Sequence, residues 1–192
     1  MENQGIVYFF TGLSGAGKTT IGGLFYQRLK GKKPNAILLD GDSIRRMVAG
    51  EIPMPFSDEL RQACQGVVLQ AHDYTYEGRL KGAWVLFRLC KELAEQGHDV
   101  VCCSICMYHA VRQWNRENIP NYREIYIKVS RETLYKRDQK GLYSSGTPNV
   151  VGVDIPAEEP EYPDVIVHND GDETPLELVR TVENELAAKE IP

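Results

Sequence analysis

The segment from Gly12 to Thr19 restricts the fold of this chain more than any other part of the sequence. It reads Gly-Leu-Ser-Gly-Ala-Gly-Lys-Thr and matches the whole G-x-x-x-x-G-K-[ST] pattern of a phosphate-binding loop. The apolar run 6–10 precedes it and a helical pattern begins near Lys18, which is the strand–loop–helix context of such loops. A glycine-rich turn before an ordinary helix is the alternative, and the context, spacing, lysine and threonine together argue against it. We therefore predict that the chain binds a nucleoside triphosphate.

Each part of this loop has an expected task. Its glycines let the backbone curl so that N–H groups face phosphate oxygens, and the positive end of the following helix points to the same place. Lys18 is expected to reach the β- and γ-phosphates, and the Thr19 hydroxyl to hold Mg²⁺. The predicted ATP-contacting residues of the loop are Gly12, Ser14, Gly15, Ala16, Gly17, Lys18, Thr19 and Thr20.

Length and charge narrow the class of protein. A chain of 192 residues fits one domain with a real core. The net charge of −5 argues against a dedicated nucleic-acid or anionic-membrane surface. No run of 18 apolar residues is present and the N-terminus has no signal-peptide pattern. We therefore expect a cytoplasmic protein that binds neither nucleic acid nor membranes.

The five cysteines do not suggest disulfides or a metal site. Their number is odd and their spacing uneven, which makes a poor disulfide framework. Cys102, Cys103 and Cys106 lie in a run that reads as a buried strand, where neighbouring side chains point to opposite faces. We interpret them as small apolar core residues rather than as metal ligands.

Apolar runs alternate with amphipathic stretches along the chain, which predicts an α/β fold. We expect a three-layer P-loop NTPase/kinase fold with a five-stranded parallel sheet, helices on both faces and a lid loop. Two stretches break the rhythm: 50–77, with a candidate helix near 58–72, and 139–163, whose length and Gly, Pro, Ser and Asn content are typical of a lid. The predicted strands are 6–10, 36–40, 99–106, 123–129 and 164–168; the predicted helices are 18–30, 79–96 and one beginning near Thr174-Pro175.

Two carboxylates follow the second predicted strand, in the sequence Asp40-Gly-Asp42. Ligands of open α/β sheets bind beyond the carboxyl ends of the strands, so both side chains are expected near the phosphates. One carboxylate can position Mg²⁺ directly or through water, and the other can accept a proton from an attacking hydroxyl. Which of the two has which task stays open, and a polar turn around Gly41 is the alternative. The predicted catalytic residues are Lys18, Asp40 and Asp42, and the predicted Mg²⁺ ligands are Thr19 and Asp42.

Four motifs together resemble the adenylylsulfate kinase family and span nearly the whole chain. They are G-L-S-G-A-G-K-T-T at 12–20, L-D-G-D-S-I-R at 39–45, R-D-Q-K-G-L-Y at 137–143 and G-V-D-I-P-A-E-E-P at 152–160. The family uses Mg-ATP to phosphorylate the ribose 3′-hydroxyl of adenosine 5′-phosphosulfate, giving PAPS and ADP in sulfate activation. The resemblance implies a small nucleotide substrate. It also implies a homodimer, because family members often form homodimers.

The resemblance also implies roles for residues outside the phosphate loop. Asp42, with Asp40 beside it, would be the base or the metal-positioning group. The ATP-side lid would include Arg137, Lys140 and Leu142. The acceptor site would include Asp42, Arg45, Arg79, Ile105, Asn149, Gly152 and Asp154.

Departures from the family pattern gather on the acceptor side. Gly82 stands where the family usually has Asn, Trp84 and Val85 replace arginines, and the family's F-I-S-P reads Ser104-Ile-Cys-Met107, which removes an aromatic ring that stacks on the acceptor base. The lid is a few residues shorter, and Pro148 replaces a lysine.

Three functions therefore remain open. The first is adenylylsulfate kinase. The second is a related kinase of another nucleotide-linked acceptor, such as the cytidine diphosphoramidate of capsule modification. The third is a non-catalytic nucleotide-binding switch, against which the Asp-Gly-Asp sequence and the lid motif argue.

Overall fold

Five parallel strands form one sheet with the N-terminal strand at its centre. The computed structural model describes residues 4–48, 73–138 and 140–189. The strand order is β2-β3-β1-β4-β5, and Phe10 of the central strand pairs with Cys103 on one side and Ile125 on the other. The predicted five-stranded parallel sheet is thus confirmed. The strands are β1 (Val7–Thr11), β2 (Ile37–Asp40), β3 (Val100–Cys103), β4 (Tyr122–Lys128) and β5 (Val165–His168).

Helices cover both faces of the sheet, which confirms the three-layer architecture. One face of the central strand, at Phe10, packs with side chains of α1 and α6, whereas its other face, at Phe9, packs with side chains of α3 and α4. None of the described helices is long and apolar enough to cross a membrane. The helices within the described ranges are α1 (Lys18–Lys32), α2 (Gly41–Val48), α3 (Tyr76–Glu95), α4 (His109–Asn118), α5 (Arg131–Arg137) and α6 (Pro175–Lys189).

Local chemistry explains where the long helices begin. The Thr75 hydroxyl accepts a hydrogen bond from the Gly78 N–H at 3.2 Å and caps α3. At the start of α6, the Glu177 carboxylate accepts the Thr174 N–H at 2.7 Å, while the Thr174 hydroxyl accepts the Glu177 N–H at 3.3 Å. This reciprocal capping box, followed by proline at the first helical position, confirms the predicted start near Thr174-Pro175.

The structure differs from the sequence prediction in two places. Strand β3 ends at Cys103 rather than at residue 106, because beyond Cys103 the chain leaves the sheet and runs to α4. Helix α2, which the sequence did not predict, begins at Gly41, and the Asp40 carboxylate accepts the Ser43 N–H at 2.9 Å at its start. The candidate helix near 58–72 lies outside the described residues, as does most of 50–77.

The buried cysteines face two different core layers. Cys102 packs in the cluster that includes α3, and Cys103 packs in the cluster that includes α1, as the strand alternation predicted. Cys90 and Cys106 are also buried and free. Burial raises the pKa of the Cys103 thiol to about 12, so it stays protonated at neutral pH.

Two adjacent glycines of α1 offer a matched pair of stability measurements. A Cβ atom at Gly22 would lie 2.4 Å from the Cys103 Sγ and 3.3 Å from the Phe10 ring, whereas at Gly23 it would meet nothing within 4 Å. We expect Gly22→Ala to lower the free energy of unfolding by roughly 1–3 kcal/mol through overpacking. Gly23→Ala should instead raise it by roughly 0.5–1 kcal/mol. Urea denaturation of both variants measures the difference; equal effects would contradict this close approach of α1 to the sheet.

Candidate active site

The phosphate loop lies at the carboxyl end of the central strand and has the backbone that its glycines allow. Gly12, Gly15 and Gly17 have φ values of 149°, 75° and 97°. A Cβ at Gly12 would lie 2.4 Å from the Ile127 carbonyl oxygen, so only glycine fits there. Gly17 precedes α1 in a left-handed conformation, and among the described residues no side chain caps this helix. The first N–H groups of α1 are therefore available to an anionic ligand.

The Lys18 ammonium group points back at the loop. Its Nζ donates a hydrogen bond to the Leu13 carbonyl oxygen at 2.7 Å. Burial lowers the pKa of Lys18 to about 8, and the attraction of Asp42 offsets this only in part, while the Lys140 charge lowers the pKa further. Because burial disfavours the charged form of Lys18, a bound phosphate group would stabilise this ammonium group through its negative charge.

This lowered pKa predicts a pH dependence of nucleotide binding. Above pH 8 the Lys18 amine is mostly neutral in the free protein. Bound phosphates favour the charged form, so binding must then take up a proton and ATP affinity should fall by up to about tenfold per pH unit. Below about pH 7 this group contributes no pH dependence, because it is charged in both states.

Isothermal titration calorimetry measures this proton uptake. Titrations with ATP at pH 8.8 in two buffers of different ionisation enthalpy should show uptake approaching one proton. Lys18→Arg is the matched control, since its guanidinium stays charged throughout this pH range. Equal heats in both buffers with wild-type protein would show that Lys18 is already charged before binding.

Asp40 and Asp42 lie close together but have different partners. The Thr19 hydroxyl donates to Asp40 Oδ2 at 2.8 Å. Asp42 instead accepts hydrogen bonds from Lys140 Nζ at 2.6 Å and from the Arg45 guanidinium at 3.1 Å. Burial alone would raise the pKa of Asp42, but the hydrogen bond from Lys140 and the charges of Lys140, Arg45 and Lys18 together hold it below its ordinary value. Asp42 is therefore ionised at neutral pH.

These groups surround one cavity of about 150 Å³ beyond the carboxyl ends of β1, β2 and β3. The described residues contain no cluster of three His, Cys, Asp or Glu side chains that could hold a metal ion. Thr19 and the carboxylates do offer oxygen donors, which suit Mg²⁺ when phosphate oxygens and water complete its shell. The lining residues are Ser14, Gly15, Gly17, Lys18, Thr19, Thr20, Asp40, Asp42, Cys103, Ser104, Ile105 and Lys140.

The lid is attached to the phosphate loop. The Tyr143 hydroxyl donates to the Ser14 carbonyl oxygen at 2.8 Å. The Asp138 carboxylate accepts the Tyr143 N–H at 3.0 Å and the Ser144 N–H at 3.1 Å, which closes the lid's first turn. The lid residues predicted to contact ATP are Arg137, Lys140 and Leu142. The structure describes all three, and of these only Lys140 lines the cavity. Arg137 lies beside Gly171 instead, and Leu142 is partly buried within the lid.

Two arginines meet on the acceptor side of Asp42. The guanidinium carbons of Arg45 and Arg79 lie 5.2 Å and 5.0 Å from the centre of the Tyr74 ring. Arg79 also donates to the Asn149 carbonyl oxygen at 2.7 Å, which joins α3 to the second half of the 139–163 stretch. The structure therefore brings both predicted acceptor arginines together although they belong to different helices.

Residues 149–155, in the second half of the 139–163 stretch, fold into a tight turn against the phosphate loop. The Asp154 carboxylate accepts the N–H groups of Asn149 and Val150. Burial would raise the pKa of Asp154, but these backbone hydrogen bonds lower it below its ordinary value. Gly152 has a φ of 89°, and a Cβ there would lie 2.9 Å from the Leu13 side chain. The predicted acceptor residues of this segment thus contact the backbone of their own turn and the edge of the phosphate loop.

The sequence did not predict contacts for three residues that lie at the site. Tyr143 was inside a recognised motif without an assigned contact, and Tyr74 lies at the edge of the 50–77 stretch. The Asn169 side-chain amide donates to the Ala16 carbonyl oxygen at 2.9 Å and so braces the phosphate loop from the end of β5. A polar turn after the last strand was the available signal for Asn169.

Comparisons of the sequence with known proteins find similar kinases. The family model for adenylylsulphate kinase matches residues 4–168. A Campylobacter jejuni protein named cytidine diphosphoramidate kinase is 36% identical over 173 residues, which cover 88% of this chain and 89% of that protein. A probable adenylyl-sulfate kinase of Archaeoglobus fulgidus is 32% identical over 168 residues, 85% of this chain and 96% of that protein.

A solved structure agrees with the architecture. The Mycobacterium tuberculosis APS kinase CysC, in complex with AMPPNP and APS, superposes with a TM-score of 0.76 over 96% of this chain and 98% of that chain. The two sequences are 23% identical, so this likeness concerns the fold alone.

Proposed function

The chain belongs to the adenylylsulfate kinase family of phosphotransferases, and from this premise we propose that it transfers the γ-phosphate of ATP to a ribose hydroxyl of a nucleotide-linked acceptor. One observation carries the proposal. The ammonium groups of Lys18 and Lys140 and the carboxylate of Asp42 converge on one cavity at the mouth of the phosphate loop. This arrangement suits a reaction that needs positioned cations and an ionised base.

Each of these groups has a task in the proposed reaction. The loop N–H groups and Lys18 hold the β- and γ-phosphates, and Lys140 approaches the transferred group from the lid. Asp42 orients the acceptor hydroxyl and accepts its proton, for which its ionised state is required. Mg²⁺, held by Thr19 with Asp40 or Asp42 nearby, would neutralise phosphate charge when bound. Tyr143 keeps the lid on the loop and thereby limits the entry of water.

For the acceptor, we favour cytidine diphosphoramidate over adenosine 5′-phosphosulfate. Arg45 and Arg79 supply cations for the anionic end of either compound. The family's F-I-S-P reads Ser104-Ile-Cys-Met107 here, and by the resemblance this removes an aromatic ring that stacks on the acceptor base, so less stacking area is expected for a purine. The Campylobacter jejuni relative supports this choice. Adenosine 5′-phosphosulfate is the second candidate, because several relatives named adenylyl-sulfate kinase match most of the chain.

A coupled ADP-release assay with Mg-ATP and each acceptor in turn tests this proposal, with the products identified by mass spectrometry. We expect a phosphorylated cytidine product and a kcat/KM at least about tenfold higher than with adenosine 5′-phosphosulfate, the size of effect that one pocket contact gives. Reactions without acceptor give the background hydrolysis of ATP. Preference for adenosine 5′-phosphosulfate would reverse the choice of acceptor, and turnover of neither compound would contradict both.

We also propose that residues 1–192 form a single kinase domain. Strands β1 and β5, from the two ends of the chain, belong to the same sheet, and α1 packs against α6. The Arg28 side chain of α1 pairs with Glu183 of α6 at 2.9 Å, which further joins the two ends.

A further inference from the structure

Residues 156–164 form neither a helix nor a strand, although they directly follow the turn 149–155 on the acceptor side. Their backbone is held by a side chain of α4 instead. Arg112 Nη2 donates hydrogen bonds to the carbonyl oxygens of Glu158 and Glu159, at 2.7 Å and 3.2 Å. Hydrogen bonds from a charged donor are stronger than those between neutral groups. The Arg112 guanidinium therefore replaces part of the pairing that a regular element would give this segment.

A buried glutamate of β4 fixes the position of Arg112. Arg112 Nε lies 3.3 Å from Glu124 Oε1, and the two side chains are only 5% and 2% exposed. Arg116, one helical turn further along α4, donates to Glu124 Oε2 at 2.8 Å and to the Tyr162 carbonyl oxygen at 2.5 Å. Because an unpaired buried charge is costly, Glu124 restricts both guanidinium groups to these positions. The two arginines thereby join residues 156–164 to the sheet.

Apolar packing holds the preceding turn over only part of its length. The side chains of Val151 and Ile155 pack with Tyr126 of β4. Gly152 and Pro156, however, line a cavity of about 200 Å³ between this segment and the end of β4. Atoms that line a cavity lack contacts on that side. The hydrogen bonds from Arg112 therefore have a large part in fixing where the turn lies.

The same turn reaches the phosphate loop and the acceptor side. A Cβ at Gly152 would lie 2.9 Å from the Leu13 side chain of the phosphate loop. The Asn149 carbonyl oxygen accepts the hydrogen bond from Arg79 at 2.7 Å. Only Pro156 and Ala157 separate the turn from the residues that Arg112 holds. A displacement of those residues would therefore be passed on to the turn.

We propose that Arg112 is a positioning residue that anchors residues 149–159 in the place that acceptor binding requires. This inference rests on the proposed function, since it deepens the account of the same acceptor site. Arg112 acts through the segment and does not touch the reacting atoms. When the segment is in place in only a fraction of the molecules, the apparent affinity for the acceptor falls by that fraction. ATP binding, which uses the phosphate loop, does not depend on Arg112 in this way.

Two variants and a control test this role. Arg112→Lys keeps a positive charge beside Glu124, but one ammonium group cannot replace the planar fork that also reaches both carbonyl oxygens. Glu158→Ala changes a partly exposed residue whose carboxylate accepts the His109 N–H at the start of α4, so it loosens the same segment without leaving a buried charge unpaired. Arg28→Lys is the matched control, at an arginine that forms a surface ion pair between α1 and α6.

Steady-state kinetics separate positioning from a merely structural role. Arg112→Lys should raise the acceptor KM roughly tenfold, the rise expected when about a tenth of the molecules hold the segment in place. Glu158→Ala should raise the same KM by a smaller factor. The KM for ATP and kcat should stay unchanged in both variants, and Arg28→Lys should change none of the three constants. A merely structural role would lower the thermal unfolding temperature and leave the acceptor KM unchanged.

Hydrogen exchange measured by mass spectrometry tests the anchoring without turnover. The amides of residues 149–155 should exchange roughly tenfold faster in Arg112→Lys than in the wild type, because hydrogen bonds from a charged group are lost. The amides of the central strand β1 should keep the wild-type rate. Equal acceleration in both regions would indicate a general loss of stability and would overturn the anchoring role of Arg112.

The outcomes distinguish the anchoring from the proposed reaction. Turnover by Arg112→Lys with the wild-type acceptor KM would overturn the anchoring and leave the reaction standing. Locally faster exchange in a protein that phosphorylates neither acceptor would support the anchoring and contradict the reaction. If Arg112→Lys does not fold, Glu158→Ala decides: unchanged exchange of residues 149–155 would overturn the anchoring, and locally faster exchange would support it.

Discussion

Replacement of Lys18 by alanine is expected to slow phosphoryl transfer by roughly two to three orders of magnitude. The Lys18 Nζ lies within the loop, at 2.7 Å from the Leu13 carbonyl oxygen, beside the cavity where the transferred phosphate would bind. Removal of one preorganised charged donor from such a site lowers kcat by roughly 100- to 1000-fold. ATP binding should weaken as well, because the same ammonium group contacts the phosphates in the ground state.

The loss should not come from unfolding. Burial lowers the pKa of Lys18, which means that the folded protein disfavours the charged side chain in the absence of nucleotide. The Lys18→Ala variant is therefore expected to unfold at about the wild-type temperature at pH 7, and ATP should no longer raise that temperature. ADP release and thermal unfolding with and without ATP measure both effects.

Lys91→Ala serves as the control for Lys18→Ala. Lys91 forms a surface pair with Glu95 on α3, away from the loop, and such pairs contribute little. We expect its activity to equal that of the wild type. Near-normal turnover by Lys18→Ala would show that the phosphate loop does not take part in the transfer as proposed.

Replacement of Asp42 by asparagine is expected to lower kcat by roughly 100- to 10,000-fold, the range of general base catalysis. Asparagine keeps the size of the side chain but cannot accept a proton at neutral pH. The KM for ATP should change little, because in the structure Asp42 contacts Lys140 and Arg45 rather than the Thr19 hydroxyl. Steady-state kinetics with both substrates varied give kcat and the two KM values separately.

Asp40→Asn is the matched comparison for Asp42→Asn. Asp40 accepts the Thr19 hydroxyl at 2.8 Å, so this variant should mainly raise the KM for Mg-ATP and shift the Mg²⁺ concentration needed for turnover. If Asp42→Asn instead weakens ATP binding as much as it lowers kcat, Asp42 is chiefly a metal-positioning residue. The pair of variants thereby assigns the two tasks that the sequence left open.

Local patterns predicted the parts of the structure that depend on neighbouring residues. The phosphate loop, all five strands and the capped start of α6 were predictable because glycine spacing, apolar runs and capping residues act within a few positions. Strand β3 was predicted too long because Ile105 is apolar, yet it packs against Val151 and Ile155, in the second half of the 139–163 stretch, rather than in the sheet. The sequence shows that a residue is apolar, but it does not show which surface buries that residue.

Long-range contacts account for what the sequence could not predict. The bond between Asn169 and Ala16 joins positions far apart in the chain, as do those between Tyr143 and Ser14 and between Lys140 and Asp42. No local pattern encodes such pairs. The resemblance supplied both acceptor arginines, but not the ring of Tyr74 on which they meet.

The order of the strands also governs when a growing polypeptide can first fold. Strands β1 and β2 are made first, but β3 lies between them in the sheet, so they cannot pair with each other during synthesis. Val7 finds its partners at Val100 and Tyr122, which emerge much later from the ribosome. The phosphate loop, although translated before β3 and β4, therefore gains its supporting neighbours late. We expect nascent chains that stop before β3 to gain no protection from ATP against proteolysis.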